Sequence, residues 1–338
     1  MIEMKIKNKK ILVTGGAGFI GSHIVDALVR KGARVKIYDN FSSGLMDYLK
    51  KSEGEAEIVR GDILNYSKLN QAIKGSDFVV HQAAQLEIAR CIDDPVWDLK
   101  TNTIGSLNVF KSGVANGVKK IVWASSAGVY GQMKKCPQKE DTHPTDPNWQ
   151  YGVSKLAVEK YARVFNEMYK IPIVSLRYGI VYGPREWWGR VLSVFLKKTL
   201  EGKPLVIFGN GRQTRDFVDV DDIVSLNLLA LEKNYQNHLV LNGSTNRATS
   251  VSQLARTIKI SLSLKDLPII YDKKTKEGEM SNDIGRIRLP SELKAMQMSY
   301  GRAKRLLGWQ PKINLEEGIR KEFAWLKENP TLWKKIKI

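Results

Sequence analysis

The 338-residue sequence has few of the residues that build disulfide frameworks or metal centres. It contains two cysteines, Cys91 and Cys136, and four histidines that are scattered along the chain. Two cysteines make a disulfide framework improbable and cannot form a zinc site alone, and no HExxH pair of histidines is present. We therefore expect no metal ion in this protein.

Long apolar runs are also missing. No stretch approaches the roughly 18 apolar residues needed to span a bilayer. The short apolar stretch at 11–13 runs directly into glycines, so it cannot be the core of a signal peptide. We expect a soluble, cytoplasmic protein without a membrane partner.

Acidic residues are too few to balance the basic ones. The chain has 35 Asp and Glu against 54 Lys and Arg, which gives a formal net charge of +19. Such an excess favours polyanionic partners, whether nucleic acids, anionic membranes or phosphorylated metabolites. The basic residues are spread along the chain and form no tail, which indicates a generally basic surface. We expect no nucleic-acid partner.

The sequence does contain a regular alternation of strand-like apolar runs with helix-length amphipathic stretches. The predicted strands are 10–14, 35–39, 78–81, 120–124 and 173–177, and the predicted helices are 21–31, 102–116 and 153–168. This alternation predicts an α/β fold with a Rossmann-type, doubly wound parallel sheet. After Tyr178 the pattern becomes irregular. We therefore expect one domain over 1–178, to which segments near 213–245 return, and a smaller mixed α/β domain over 179–338.

The stretch TGGAGFIG at 14–21 follows the first predicted strand and opens the first predicted helix. Gly15 permits a tight turn, Gly18 lets the backbone approach a pyrophosphate, and Gly21 lets the helix pack close to the strand. Phosphates would bind to backbone N–H groups at the positive end of the helix dipole. The stretch therefore predicts a dinucleotide site.

Two aspartates follow strand-like runs beside this site. Asp39 ends the second predicted strand. A carboxylate there accepts hydrogen bonds from both hydroxyls of the adenosine ribose and repels a 2′-phosphate, which favours NAD over NADP. Asp62 is expected either to hold the adenine amino group or to cap a turn.

Tyr151 and Lys155 lie four residues apart at the start of a predicted helix and therefore share one face. A free tyrosine has a pKa of about 10, too high for a base at neutral pH. A nearby ammonium and an oxidised nicotinamide both lower that pKa, and Lys155 can also bond the nicotinamide ribose. Ser126, after the strand at 120–124, is expected to share the substrate hydroxyl proton with Tyr151. Helix capping suits Ser125 better.

Together these residues resemble the extended short-chain dehydrogenase/reductase family and, within it, the NAD-dependent nucleotide-sugar epimerase/dehydratase group, most like UDP-glucose 4-epimerases. The resemblance runs through most of the chain: TGGAGFIG, DN, GDI, HQAA, NTIGSLN, SSAGVYG, YGVSK, RYGIVYGPR, QTRDFVDVDD and LLGWQP. It implies that Tyr151 is the catalytic base and acid, with Lys155 as its partner and Ser126 as the third member. The residues expected at the cofactor are Gly15, Gly18, Phe19, Ile20, Gly21, Asp39, Asn40, Ser42, Gly44, Asp62, Ile63, Ala83, Ala84, Asn102, Ser125, Tyr151, Lys155 and Tyr178.

Two positions after Ser126 narrow the reaction that the resemblance implies. In the dehydratases of the family these two positions are Asp and Glu, and the decarboxylases keep the Glu. Members that also epimerise the carbon beside the carbonyl have Cys at the first position. Here they are Ala127 and Gly128, and neither can transfer a proton. The resemblance therefore implies a 4-epimerase of UDP-hexose or UDP-hexuronate, which oxidises C4 transiently to a 4-keto intermediate and returns the hydride to its other face.

The resemblance also implies a substrate site at a nucleotide diphosphate. Arg215 matches the arginine placed on the diphosphate, and its planar fork suits phosphate oxygens. Phe208 matches the aromatic beside the nucleotide base and is equally explained as a core side chain. The position of the family's second diphosphate-binding arginine falls on Leu289, so either Arg288 takes that role or the diphosphate is held differently. Ile180 also replaces an amide side chain that often touches the diphosphate in the family. The residues expected at the substrate are Gln85, Ser126, Tyr151, Val191, Phe208, Arg215 and Arg288.

Two other interpretations stay open. The same three catalytic residues suit a nucleotide-sugar dehydrogenase or 4-reductase with exchangeable NAD. The net charge of +19 also allows a non-catalytic NAD-binding protein with a basic RNA- or partner-binding surface, although such a binder has no need of a tuned phenol. By family analogy we expect a homodimer in which the helices at 102–116 and 153–168 pack as a four-helix bundle.

Overall fold

The computed structural model of the chain describes residues 6–186, 189–281, 286–287 and 293–333. Its strands are Lys10–Thr14 (β1), Arg34–Asp39 (β2), Ala56–Arg60 (β3), Phe78–His81 (β4), Lys120–Ser126 (β5), Ile173–Tyr178 (β6), Ile180–Tyr182 (β7), Leu205–Phe208 (β8), Thr214–Arg215 (β9), Phe217–Asp219 (β10), Leu239–Gly243 (β11), Thr249–Ser250 (β12), Ile269–Asp272 (β13), Met280–Ser281 (β14) and Arg286–Ile287 (β15).

The α-helices are Phe19–Arg30 (α1), Tyr66–Ile73 (α2), Ile88–Asp93 (α3), Pro95–Asp98 (α4), Gly105–Ala115 (α5), Gln150–Tyr169 (α6), Val191–Leu200 (α7), Val220–Glu232 (α8), Val251–Ser261 (α9), Gly301–Leu307 (α10), Leu315–Glu328 (α11) and Pro330–Trp333 (α12). Short 3₁₀ helices lie at Met46–Ser52 and Ala127–Tyr130. The predicted helix at 102–116 begins instead as a π-helical turn, Leu99–Ile104, and becomes α5 only at Gly105. None of the helices in the described ranges is long and apolar enough to cross a bilayer.

The central sheet consists of parallel strands in the order β3-β2-β1-β4-β5-β6-β11. Both of its faces are covered, as the apolar runs of its strands require. In β1, Ile11 and Val13 join the core that contains α1 and α8, whereas Leu12 joins the core under α2, α5 and α6. This is the doubly wound Rossmann arrangement, and it confirms the predicted fold class.

A smaller core lies beyond β6. It contains β7, β8 and β10 with α7, α9 and α11, and β8 pairs in parallel with β13. The chain then returns to the main sheet, because β11 pairs with β6 and α8 packs against α1.

The topology determines where a ligand can bind. The strand order reverses between β1 and β4, and in open α/β sheets ligands bind at such a switch point, outside the carboxyl ends of the strands. Five side chains named in the motifs lie at or beside these ends: Thr14, Asp39, His81, Ser126 and Tyr178.

Candidate active site

A cleft of about 680 Å³ opens at the carboxyl edge of the sheet and continues along the smaller core. Most of the residues expected at cofactor or substrate line it. These are Gly15, Gly18, Phe19, Ile20, Gly21, Asp39, Asn40, Ser42, Asp62, Ile63, Ala83, Ala84, Ser125, Ser126, Tyr151, Lys155, Tyr178, Val191, Phe208 and Arg215. The fold therefore brings distant parts of the chain together at one cleft.

Three expected ligand residues lie behind the cleft wall instead of on it. The Gln85 amide donates to the Glu87 carbonyl at 3.0 Å and to the Cys91 Sγ at 3.1 Å. The Asn102 amide is paired with both backbone groups of Gln85, at 2.9 Å each, so it shapes the wall from inside. Gly44 lies against the backbone of the glycine turn. Arg288 falls outside the described residues.

The glycine turn has the geometry that a dinucleotide needs. Gly15 has φ of +68°, and a Cβ there would come within 2.5 Å of the Ala83 nitrogen. A Cβ on Gly21 would lie 2.0 Å from the Gly15 oxygen, so helix and strand approach this closely only with glycine. Gly18 is the N-cap residue of α1 and makes no side-chain capping hydrogen bond. That terminus suits a pyrophosphate.

Asp39 is held rigidly at the end of β2. Its Oδ2 accepts from the Ala17 amide at 2.9 Å and its Oδ1 from the Phe41 amide at 2.8 Å. Burial raises the pKa of this carboxyl, while the two hydrogen bonds lower it. Asp62 accepts from the Leu64 amide at 2.8 Å and from the Asn40 amide at 2.9 Å. The turn-capping role of Asp62 is therefore observed, and the same carboxylate lines the cleft.

Lys155 lies beneath the Tyr151 ring on the first turns of α6. Its Nζ is buried, donates to the Ala124 carbonyl at 2.9 Å, and lies 5.6 Å from the Tyr151 ring centroid. The expectation about the serines is wrong in one respect. Ser126 is the residue that caps the next 3₁₀ helix, since its Oγ accepts from the Gly128 amide at 3.0 Å. Ser125, the preceding residue of β5, instead donates its hydroxyl to Glu159 of α6 at 2.6 Å.

The protein groups alone do not lower the pKa of the Tyr151 phenol. Burial raises that pKa to about 12, and the charge of Arg190 and a hydrogen bond with Ser126 lower it. Sequence reasoning missed Arg190, which follows a pair of tryptophans in no recognised motif. Its guanidinium donates to the Val181 carbonyl at 2.9 Å and lies 3.6 Å from Glu186.

Glu186 belongs to a buried group of carboxyls beside the cleft. Burial raises its pKa to about 8, with the charge of Arg190 acting in the other direction. Glu322 of α11 is 1% exposed, and burial and the charges of Glu186 and Asp219 raise its pKa well above the ordinary range. The carboxyls of Glu186, Asp219 and Glu322 each have a buried oxygen without a hydrogen-bond partner within the described structure. No sequence signal connects them, because they come from three separate segments.

His81 fixes the loop behind the cofactor region. Burial lowers its pKa to about 3, so the ring is neutral. The Ser106 hydroxyl donates to the Asn102 carbonyl at 2.6 Å, and it therefore accepts from the His81 Nε2–H at 2.8 Å. The His81 Nδ1 must then accept from the Thr14 hydroxyl at 2.6 Å. This chain of bonds ties β1, β4 and the π-helical turn together.

At the far end of the cleft, Arg215 and Phe208 face the smaller core. One guanidinium nitrogen of Arg215 donates to the carbonyls of Thr214 and Leu293, at 2.9 and 2.7 Å, which orients its planar fork. Phe208 ends β8, is half-buried and lines the cleft, so it is not a fully enclosed core side chain. Ile180 also lines the cleft, where the resemblance expects an amide.

Comparison with known proteins gives a family. The model of the NAD dependent epimerase/dehydratase family matches residues 11–242. A protein of Methanocaldococcus jannaschii named "Putative UDP-glucose 4-epimerase" is 39% identical over 325 residues, 94% of this chain and 99% of its own. The UDP-glucose 4-epimerase of Thermotoga maritima, solved with UDP-glucose, is 35% identical with a TM-score of 0.83, over 95% of this chain and 99% of its own. A UDP-N-acetylglucosamine 4-epimerase from Methanobrevibacter ruminantium, in complex with UDP-N-acetylmuramic acid, is 30% identical with a TM-score of 0.86, over 96% of this chain and 99% of its own.

These matches agree with the residues that the fold assembles. They confirm the expected resemblance, NAD as the cofactor, and an epimerase-type enzyme rather than a non-catalytic binder. The chain therefore belongs to the NAD dependent epimerase/dehydratase family, in the nucleotide-sugar epimerase group of the extended short-chain dehydrogenases/reductases.

Proposed function

We propose that the protein is a nucleotide-sugar 4-epimerase that acts on a UDP-hexose or UDP-hexuronate. The observation that carries the proposal is the content of the cleft around Tyr151. Ser126 lines the cleft beside this phenol and lowers its pKa, and Lys155 lies beneath it, whereas the neighbouring Ala127 and Gly128 offer no proton-transferring group. Reversible oxidation of one secondary alcohol needs only these three side chains.

The chain's own residues fit NAD. The N-terminus of α1 and the glycines at 15, 18 and 21 suit its pyrophosphate, and Asp39 suits the hydroxyls of its adenosine ribose. When bound, NAD supplies the acceptor and later donor of a hydride, and its oxidised ring carries a positive charge that favours the Tyr151 phenolate.

The reaction then needs one proton and one hydride in each direction. Tyr151 removes the proton of O4 while the hydride leaves C4, which gives a 4-keto sugar. Ser126 holds O4 during this step, and Lys155 keeps a positive charge beneath the phenol. After the keto sugar has turned within the cleft, the hydride returns to its other face and Tyr151 gives the proton back to O4. Substrate and product therefore differ only in the configuration at C4.

Arg215 and Phe208 are proposed to hold the nucleotide diphosphate and its base. Support comes from their common position on the cleft wall formed by the smaller core. The oriented fork of Arg215 suits phosphate oxygens. Val191, at the start of α7 on the same wall, is proposed to contact the substrate.

A panel of UDP-, dTDP- and GDP-sugars tests the proposal. Purified protein is incubated with each sugar without added NAD, and the products are identified by NMR. We expect a C4 epimer of one UDP-sugar to appear without stoichiometric use of NAD. Product that forms only in a parallel incubation with added NAD, and in proportion to the NAD consumed, would instead identify a dehydrogenase or 4-reductase.

The variant Tyr151→Phe tests the assignment of the base. It should lower the rate by about 10²–10⁴-fold, because general acid–base transfer at O4 is lost. Tyr169→Phe is a matched control, since this exposed tyrosine lies at the other end of α6. Near-normal turnover in Tyr151→Phe would contradict the assignment.

We also propose the domain division 1–178 and 179–338, with the segments near 213–245 belonging to the first domain. The pairing of β11 with β6 and the packing of α8 on α1 support this division. The separate core of β7 and β8 with α7, α9 and α11 supports the second domain.

We propose, finally, that the protein is a homodimer through α5 and α6. Val153, Tyr161, Val164 and Met168 are exposed and lie on one side of α6. A second copy packed antiparallel would cover them. Sedimentation should give a dimer, and Val164→Asp should give a monomer, whereas Ile260→Asp on α9 should not change the mass. A monomeric wild-type protein at micromolar concentration would refute this contact.

A further inference from the structure

A buried carboxylate that no motif contains lies behind the catalytic residues. Asp98 ends α4 and is 1% exposed. Its Oδ1 accepts from the Asn102 amide at 2.7 Å and from the Cys91 thiol at 3.1 Å. Its Oδ2 accepts from the Ser154 hydroxyl at 2.5 Å. Because Ser154 precedes Lys155 in α6, this carboxylate connects the segment around α4 directly to the helix turn that carries the catalytic pair.

Asp98 also supplies a negative charge that acts on the Lys155 ammonium in that helix turn. Burial lowers the pKa of Lys155 to about 8, and the charge of Asp98 acts in the opposite direction. The same charge contributes to the raised pKa of Tyr151. Asp98 therefore raises the pKa of both groups.

The neighbouring His81 and Cys91 do not supply a negative charge that could replace that of Asp98. His81 is neutral, and burial and Asp98 both raise the pKa of the Cys91 thiol, so it stays protonated. Among the described residues, the titratable and charged side chains that act on Asp98, on its partner Cys91 or on the catalytic pair include His81 of β4, Glu87 and Cys91 at α3, Tyr151 and Lys155 of α6, and Arg190 ahead of α7.

We propose that Asp98 is a positioning residue of the reaction: through Ser154 it orients the helix turn of Tyr151 and Lys155, and it places a buried negative charge behind that turn. The proposal rests on the proposed epimerase function for its kinetic part only. A nearby opposite charge typically moves the pKa of a titratable group by about 1–3 units.

The test separates the charge of Asp98 from its hydrogen bonds. Asp98→Asn removes the charge and keeps the shape, whereas Ser154→Ala removes a hydrogen bond and keeps the charge. Asp98→Ser is a second neutral variant in case the first does not fold. Asp93→Asn, an exposed carboxylate on α3, is the matched control.

The first readout needs no activity. In protein labelled with ¹³Cε-lysine and assigned with Lys155→Met, the titration of Lys155 should move to lower pH by about one unit or more in Asp98→Asn. It should stay in place in Ser154→Ala and Asp93→Asn. An unchanged Lys155 titration in a folded neutral variant would overturn the proposal.

The second readout is the pH dependence of epimerisation. The acid limb reports the phenol and the alkaline limb reports the ammonium, and Asp98 raises the pKa of both. Both limbs should therefore move to lower pH in Asp98→Asn and remain fixed in Ser154→Ala, even if that variant is slower. A slower Asp98→Asn enzyme with unmoved limbs would make Asp98 merely structural and overturn the proposal. Absence of any epimerisation by the wild-type protein, with the Lys155 titration shifted as expected, would instead refute the proposed function.

Discussion

The buried pair Glu186 and Glu322 should make the protein lose stability as the pH rises through neutrality. Both carboxyls have a raised pKa in the folded protein, and both return to an ordinary value near 4.5 when the chain unfolds. Between those two values the folded state binds more protons than the unfolded state. Each such group therefore contributes stability that is complete below the unfolded pKa and is lost as the pH rises through the folded pKa.

The size of the effect follows from the pKa shift. For Glu186 the pKa rises from 4.5 to about 8, a difference that corresponds to an upper limit of about 5 kcal/mol at roughly 1.4 kcal/mol per unit. Replacing Glu322 by Gln removes one titrating proton from the pair. Relative to wild type, the free energy of unfolding of Glu322→Gln should then rise with pH, by up to about 1.4 kcal/mol per pH unit while Glu322 is protonated in the folded state and ionised in the unfolded state.

Guanidinium denaturation followed by tryptophan fluorescence measures this difference. Wild type, Glu322→Gln and the control Glu328→Gln are compared at several pH values. Glu328 is exposed on the same helix, so its variant should remain parallel to wild type at every pH. Parallel curves for Glu322→Gln and wild type would refute the reasoning, because the carboxyl would then ionise in the folded protein without cost.

Two further substitutions test the packing of the site. Gly21→Ala places a methyl group 2.0 Å from the Gly15 oxygen. Because overpacking of this kind costs about 1–3 kcal/mol, the affinity for NAD measured by calorimetric titration should fall about 10- to 100-fold. An unchanged affinity would contradict the close approach of helix and strand. Glu159→Gln breaks a buried pair in which Arg177 donates to the carboxylate at 2.8 and 2.6 Å. The free energy of unfolding should fall by about 3–5 kcal/mol, and a loss below ~1 kcal/mol would show that the pair relaxes without cost.

The dinucleotide half of the site could be predicted from the sequence because its requirements are local. The glycines of the first turn and Asp39 at the end of β2 follow from what a strand, a tight turn and a helix N-terminus need. The spacing of Tyr151 and Lys155 on one helix face is equally local. Each of these residues lies where its motif indicates.

Tertiary contacts determine what the sequence could not show. Asp98 accepts a hydrogen bond from Ser154, which is far away in the chain, and burial raises the pKa of Glu186. Gln85 and Asn102 lie in the expected segments, but the Asn102 amide binds the backbone of Gln85 and the Gln85 amide binds Glu87 and Cys91, so neither side chain lines the cleft. Such pairings depend on side-chain direction, which no spacing rule specifies.

The strand β11 completes the main sheet from a late part of the chain. β6 pairs with β5 on one side and with β11 on the other, and the segment 179–238 separates β6 from β11. During synthesis, β6 therefore presents a row of unpaired N–H and C=O groups until that segment has emerged. Open strand edges of this kind recruit other chains and promote aggregation. A shortened form of this protein that ends at Tyr178 would keep that edge permanently, so any truncation intended to remain monodisperse has to retain the chain through Gly243.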